Sequence, residues 1–186
     1  MGHGGNVIVE LTTDHREVDQ LLSKIEAQPV GDEQRRKLAD ELTIELVRHS
    51  VAEEMYLYPA VRKHVADGDV IADKELSDHA RVERHLKDLE GMAADDPRFD
   101  PLVAQLKLEV SEHVRDEEGR LFPLLTAAWT PEALDELGDK VRTAKKTAPT
   151  RPHPCAPSTP PGNKLMAPGT GLVDRARDLL TGRGRS

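Results

Sequence analysis

Apolar positions recur at helical spacing through most of the first 146 residues. Val7, Ile8, Leu11, His15, Val18, Leu22 and Ile25 make one stripe, capped in front by Asn6 and ended by Pro29 and Gly31. This predicts a first helix reaching about Gln28. Asp32 caps a second, long helix whose inner stripe is Leu38, Leu42, Leu46, His49, Glu53, Tyr56 and Ala60. Pro59 falls inside that stripe and predicts a kink, because its ring removes one backbone hydrogen bond. A third helix is expected from about Val70 to Met92, with Ile71, His79, Val82, Glu83, Leu86 and Leu89 inward. A fourth starts at Pro101 and carries Leu102, Leu106, Val110, His113, Glu117, Leu121 and Leu124. Thr130-Pro131 opens a short fifth helix to about Lys146. The Pro-, Thr- and Gly-rich stretch from Ala148 to Gly171 reads as an extended, poorly ordered linker. A short basic amphipathic helix over Gly171 to Thr181 follows it. The expected architecture is all-α: an up-down four-helix bundle plus fifth helix over residues 1–147, then a tail over 148–186.

Histidines and glutamates interrupt these stripes in a repeating way. His49-x-x-x-Glu53-Glu54-x-x-Leu57-Tyr58-Pro59 is echoed by His113-x-x-x-Glu117-Glu118-x-x-Leu121-Phe122-Pro123. Upstream, Asp14-His15-x-x-Val18 is echoed by Asp78-His79-x-x-Val82. The offset is 64 residues throughout. Residues four apart share a helix face, so each run aims an imidazole and a carboxylate the same way. Two equivalent helix pairs would bring His15, His49, Glu53, His79, His113 and Glu117 to one centre. Those six side chains suffice for two metal ions, one per half, with both carboxylates able to bridge.

A lone histidine or glutamate on an apolar face is usually just hydrogen-bonded there. Six of them at a constant repeat offset need a compensating charge, which a metal ion supplies. Tyr56, three residues after Glu53, and Glu83, four after His79, are further candidates for ligands or for bonding to a metal-bound water. Asp14 and Asp78 could orient an imidazole from a neighbouring helix. Glu54 and Glu118 read as salt-bridged surface groups. Imidazole and carboxylate without thiolate suit iron, manganese or zinc.

Composition narrows the function. The chain carries a formal net charge of −8. From Lys145 onward there are eight basic residues against two acidic ones, so the body is strongly acidic. That argues against nucleic acid as a partner. No run is long and apolar enough for an integral membrane segment. The N-terminus lacks a secretory pattern, and Cys155 is the only cysteine, which fits a cytoplasmic protein.

The ordered set His15, His49-x-x-x-Glu53, His79 and His113-x-x-x-Glu117 resembles the hemerythrin-like proteins of the HHE cation-binding group, over roughly residues 6 to 146. The resemblance implies a four-helix bundle holding two iron ions as an oxo-bridged, non-haem di-iron centre. It implies terminal histidine ligands at 15, 49, 79 and 113 and bridging carboxylates at 53 and 117. Oxygen-carrying hemerythrins have a fifth histidine where this chain has Glu83, and a His-x-x-x-x-Asp pattern where it has His-x-x-x-Glu. The expected site is therefore more symmetric than an oxygen carrier's. Two activities fit it. One is catalase-like decomposition of hydrogen peroxide; the other is binding or sensing of dioxygen, nitric oxide or iron without turnover. In the second, the basic terminal helix would dock a partner.

Overall fold

The computed structural model describes residues 4–184. The described residues are helical with no strand. Helix α1 (Val7–Ala27) and helix α2 (Glu33–Ala52) form the first antiparallel pair. A π-helical turn over Glu53–Leu57 links α2 to α3 (Tyr58–His64). Helix α4 (Gly68–Leu89) and α5 (Phe99–Asp116) form the second pair. A second π turn, Glu117–Leu121, continues α5 into α6 (Phe122–Ala128). Helix α7 (Pro131–Thr147) packs against α1 and α2, and α8 (Gly162–Thr181) crosses α7.

The three expected caps form. Asn6 Oδ1 accepts from Val9 N (3.1 Å), Asp32 Oδ1 from Gln34 N (2.7 Å) and Thr130 Oγ1 from Ala133 N (3.3 Å). Helix boundaries differ from the sequence reading by two or three residues, as at Phe99, which starts α5 ahead of Pro101. Such shifts are ordinary at frayed ends.

The kink expected at Pro59 takes the form of the π turn. Pro59 offers no N–H, and its ring crowds the carbonyl four residues back, so the ladder widens. Tyr58 N bonds Glu53 O, five residues back. Pro123 does the same, with Phe122 N bonding Glu117 O. The 64-residue repeat thus extends to the backbone defect.

The bundle core is divided into two apolar clusters. One gathers Leu11, Met55, Ile71, Leu121 and Val141; the other gathers Val18, Leu42, Val82, Leu86 and Leu106. Each of these Leu or Ile side chains contributes roughly 2 kcal/mol by leaving water. Along every bundle helix the candidate ligands fall between the two clusters. They form a polar layer with hydrophobic packing above and below, which excludes water and fixes the helices.

The C-terminal region departs from the expected picture. Residues 148–161 lack regular helix but are pinned. Arg151 bonds Glu90 and Asp178 (both 2.8 Å), and His153 N donates to Glu83 Oε1 (2.8 Å). These partners are distant in sequence, so composition alone reads as a loose linker. Helix α8 begins at Gly162, not at the expected Gly171. Gly171 is buried mid-helix where α8 crosses the end of α7. A Cβ there would collide with the carbonyl oxygens of Thr147 and Ala148, so the glycine serves close packing. The inward face of α8 is polar or small: Asn163, Ala167, Gly171, Asp174 and Asp178. Leu165, Leu172, Val173, Leu179 and Leu180 face solvent.

Candidate metal centre

All six repeat-related side chains converge. His15, His49, His79 and His113 are buried, and Glu53 and Glu117 are fully so. The imidazoles sit in two pairs, His15 with His49 (ring centroids 5.0 Å apart) and His79 with His113 (4.9 Å). Each carboxylate touches one imidazole of each pair. Glu53 Oε2 lies 3.1 Å from His49 Nε2 and 3.3 Å from His79 Nε2. Glu117 Oε2 lies 3.4 Å from His15 Nε2 and 3.6 Å from His113 Nε2. The sets His15, His49, Glu53, Glu117 and Glu53, His79, His113 each present ligand atoms within 4.8 Å of one another.

The far nitrogen of every ring is held by a carboxylate. His15 Nδ1 faces Glu118 Oε1 (2.8 Å), His49 Nδ1 faces Asp14 Oδ2 (3.2 Å), His79 Nδ1 faces Glu54 Oε1 (3.1 Å) and His113 Nδ1 faces Glu75 Oε2 (2.8 Å). An ionised carboxylate only accepts, so each Nδ1 carries a proton and each Nε2 is the nitrogen left facing the centre. Glu118 also binds Arg16 (2.6 Å), and Lys145 reaches both Glu10 (2.9 Å) and Asp14.

These acceptors revise the sequence reading. Glu54 and Glu118, read there as surface groups, hold His79 and His15. Asp78 does not take the place equivalent to Asp14; Lys74 (2.9 Å) and Arg81 (2.5 Å) bind it instead. Glu75 holds His113, and sequence reasoning missed it. The available signal was its position four residues before His79, a fully buried acid on the inner face of α4.

The tyrosine at the centre is Tyr58. Its Oη lies 2.9 Å from His79 Nε2, 3.2 Å from Glu117 Oε1 and 3.4 Å from Glu53 Oε2. The expected Tyr56 instead lies beneath the Lys164 ammonium, 4.4 Å from the ring centroid. An unbroken α-helix would put residues 56 and 57 over Glu53. The π turn adds one residue to the helical phase and brings residue 58 there, five after Glu53. Glu83 is not brought to the centre either; its carboxylate accepts from His153 N.

Without a cation the layer is electrostatically strained. His15 Nε2, His49 Nε2, His113 Nε2, Glu53 Oε1 and Glu117 Oε2 are buried with no hydrogen-bond partner among the described residues. Burial opposes a charged His49, but the Glu53 charge and the bond to Asp14 outweigh it and hold its pKa well above the ordinary value. Burial likewise opposes a charged His79, yet Glu53 and Glu54 push it up to about 10. Burial would raise Glu53, but His49 and His79 hold it well below the carboxylate range. Burial raises the Tyr58 phenol, and the surrounding carboxylates raise it further. Protons on His49 and His79 stand where a metal cation's charge would. A buried donor set of imidazole nitrogens and carboxylate oxygens, aimed inward and lacking partners, fits a metal cation.

Residues 6–125 match the hemerythrin HHE cation-binding domain family. The chain belongs to that family. An uncharacterised hemerythrin-like protein of Schizosaccharomyces pombe is 28% identical over 168 residues, covering 90% of this chain and 82% of that protein. A Nostoc protein described as a DNA nickase is 29% identical over 142 residues, 75% of this chain but only 39% of its own length. A crystal structure of a hemerythrin HHE cation-binding domain-containing protein from Mycobacterium kansasii superposes with a TM-score of 0.66. It is 29% identical and covers 76% of this chain and 85% of that one. Helices α1 to α6 are thus a hemerythrin-like bundle with a candidate cation site at mid-height. No helix among the described residues is long and apolar enough to cross a membrane.

Proposed function

We propose that the hemerythrin-like bundle holds two iron ions, one at His15 and His49 and one at His79 and His113, bridged by Glu53 and Glu117. On this reading it decomposes hydrogen peroxide. The observation that carries the reading is the sharing of two carboxylates by two histidine pairs. Each metal would have two imidazoles and two carboxylate oxygens, which leaves coordination positions free on both for a two-atom ligand.

When bound, the iron pair would supply two electrons to one peroxide and recover them from a second, so that two H2O2 give two H2O and O2. The chain's own residues do the rest. Glu54, Glu75, Glu118 and Asp14 fix the tautomer and orientation of the four imidazoles. The Tyr58 hydroxyl stands where it can give a proton to an oxygen held at the His79 side. A cavity of about 20 Å³ touches all four imidazoles and is otherwise lined largely by Val18, Leu46, Val82, Val110 and Val114. It has room for about one water-sized molecule, which suits a small ligand such as peroxide, dioxygen or nitric oxide.

The apolar lining also favours a second reading, in which dioxygen or nitric oxide binds without turnover. Oxygen evolution from peroxide, measured on protein with known iron content, separates the two. Evolution that scales with bound iron supports the first. Two irons per chain with no evolution, but a reversible spectral change under oxygen or nitric oxide, would replace it with the second. Absence of bound iron would defeat both.

A further inference from the structure

The 64-residue repeat makes two equivalent grooves beside the centre, one between α2 and α4 and one between α5 and α1. The C-terminal segment covers the first. Pro149, Arg151, His153, Ala156, Pro157 and the inward face of α8 roof it and leave a partly open chamber of about 60 Å³. Val47, Val51, Val82 and Leu86 form its floor, and Met166 and Ala167 face them. The chamber and the small cavity at the imidazoles share Leu46, Ser50, His79 and Val82 in their walls. Its polar rim includes Glu54, which holds His79, and the buried Asn163 Oδ1, which has no hydrogen-bond partner among the described residues. In the other groove, the counterpart of Glu83 is Asp19, which is solvent-exposed.

We propose that this roofed chamber is the entry passage by which small molecules of two or three heavy atoms reach the His79–His113 half of the centre, with Ser50 at its inner end. The C-terminal segment sets its width through the His153–Glu83 and Arg151–Glu90 contacts. This whole segment lies beyond residues 6–125, the part matched by the family. The passage also explains why the two halves differ although their ligands do not. The half reached by the chamber is the one that carries the Tyr58 hydroxyl.

The passage rests on the iron reading, so its test uses full-length protein of measured iron content and follows azide association by stopped flow. Ala167→Phe fills the chamber without touching a ligand and should slow azide association about tenfold, since close-packed interiors leave no alternative space. Glu83→Ala removes the latch to His153 and should speed it, while Asp19→Ala, its repeat counterpart, should leave the rate unchanged. Xenon pressurisation of crystals should place an atom among Val51, Val82, Met166 and Ala167 whether or not metal is bound. Loss of iron in the unsubstituted protein would defeat the iron reading alone. Normal iron content with equal azide rates in Ala167→Phe and the parent, or a xenon-free chamber, would overturn the passage.

Discussion

Tyr58 and Phe122 occupy equivalent places 64 residues apart, each directly after a π turn and before a proline. Phe122 stacks on His15 (ring centroids 5.9 Å apart, planes within 3°). Tyr58 puts its hydroxyl 2.9 Å from His79 Nε2. At the centre itself, one hydroxyl oxygen therefore marks the His79 side of a nearly symmetric site. Tyr58→Phe should keep the metal content and lower peroxide turnover roughly a hundredfold, the scale of losing a positioned proton donor. Metal analysis beside oxygen evolution checks this; unchanged turnover would remove Tyr58 from the chemistry. Tyr56→Phe should change neither.

Metal stoichiometry tests the ligand set. His49→Ala and His113→Ala each strip one metal position of half its imidazoles and should lose about one of two metal equivalents. Glu53→Ala and Glu117→Ala remove a shared carboxylate and should weaken both positions together. Full metal content in all four variants would refute the assignment.

The four carboxylates behind the imidazoles should matter almost as much. Glu75→Gln retains shape but removes the charge that fixes His113, and should weaken metal binding roughly 10- to 100-fold. Asp78→Asn, at the position that symmetry alone would have chosen, should have little effect on affinity. Competition with a chelator measures both.

Lys145 lies almost wholly buried between Glu10 and Asp14, and joins α7 to α1. Lys145→Met should destabilise the fold by roughly 2 kcal/mol or more, because it removes the cation that two buried acids share. Urea unfolding of the metal-free protein would show it. The metal-bound protein should also hold His49 less firmly, since Asp14 orients that ring.

The metal-free protein should lose stability as pH rises. His79 has an ordinary pKa of 6.5, raised in the fold to about 10. A raised pKa stabilises the fold fully below about 6.5, and that contribution is lost as pH climbs through about 10. Glu53 is depressed, so its contribution is present above its ordinary 4.5 and is lost on acidification. The metal-free melting temperature should therefore peak between these values and fall towards alkaline pH. Bound metal should flatten the alkaline fall, because it replaces the protons on His49 and His79. A melting temperature of the metal-free form that rises from pH 7 to 10 would contradict this account.

Periodicity, caps and the repeated His-x-x-x-Glu runs were enough to specify the bundle helices, their pairing and the six inward side chains, though not where α8 begins. Those features are local, or repeat at one fixed offset, so the chain alone carries them. The π turns were legible only as a proline inside a helix. Their consequence, that Tyr58 and not Tyr56 faces the centre, depends on how the backbone absorbs the missing N–H. The choice of Glu75 over Asp78 for His113, and of Glu54 and Glu118 as imidazole partners, required the distances between helices. So did the docking of the C-terminal segment, whose polar anchors Glu83 and Glu90 lie far from it in sequence. What the sequence determined was which side chains each helix presents inward. Tertiary structure decided which of them meet, because a hydrogen bond needs its partners within about 3 Å and helical phase alone does not set that separation.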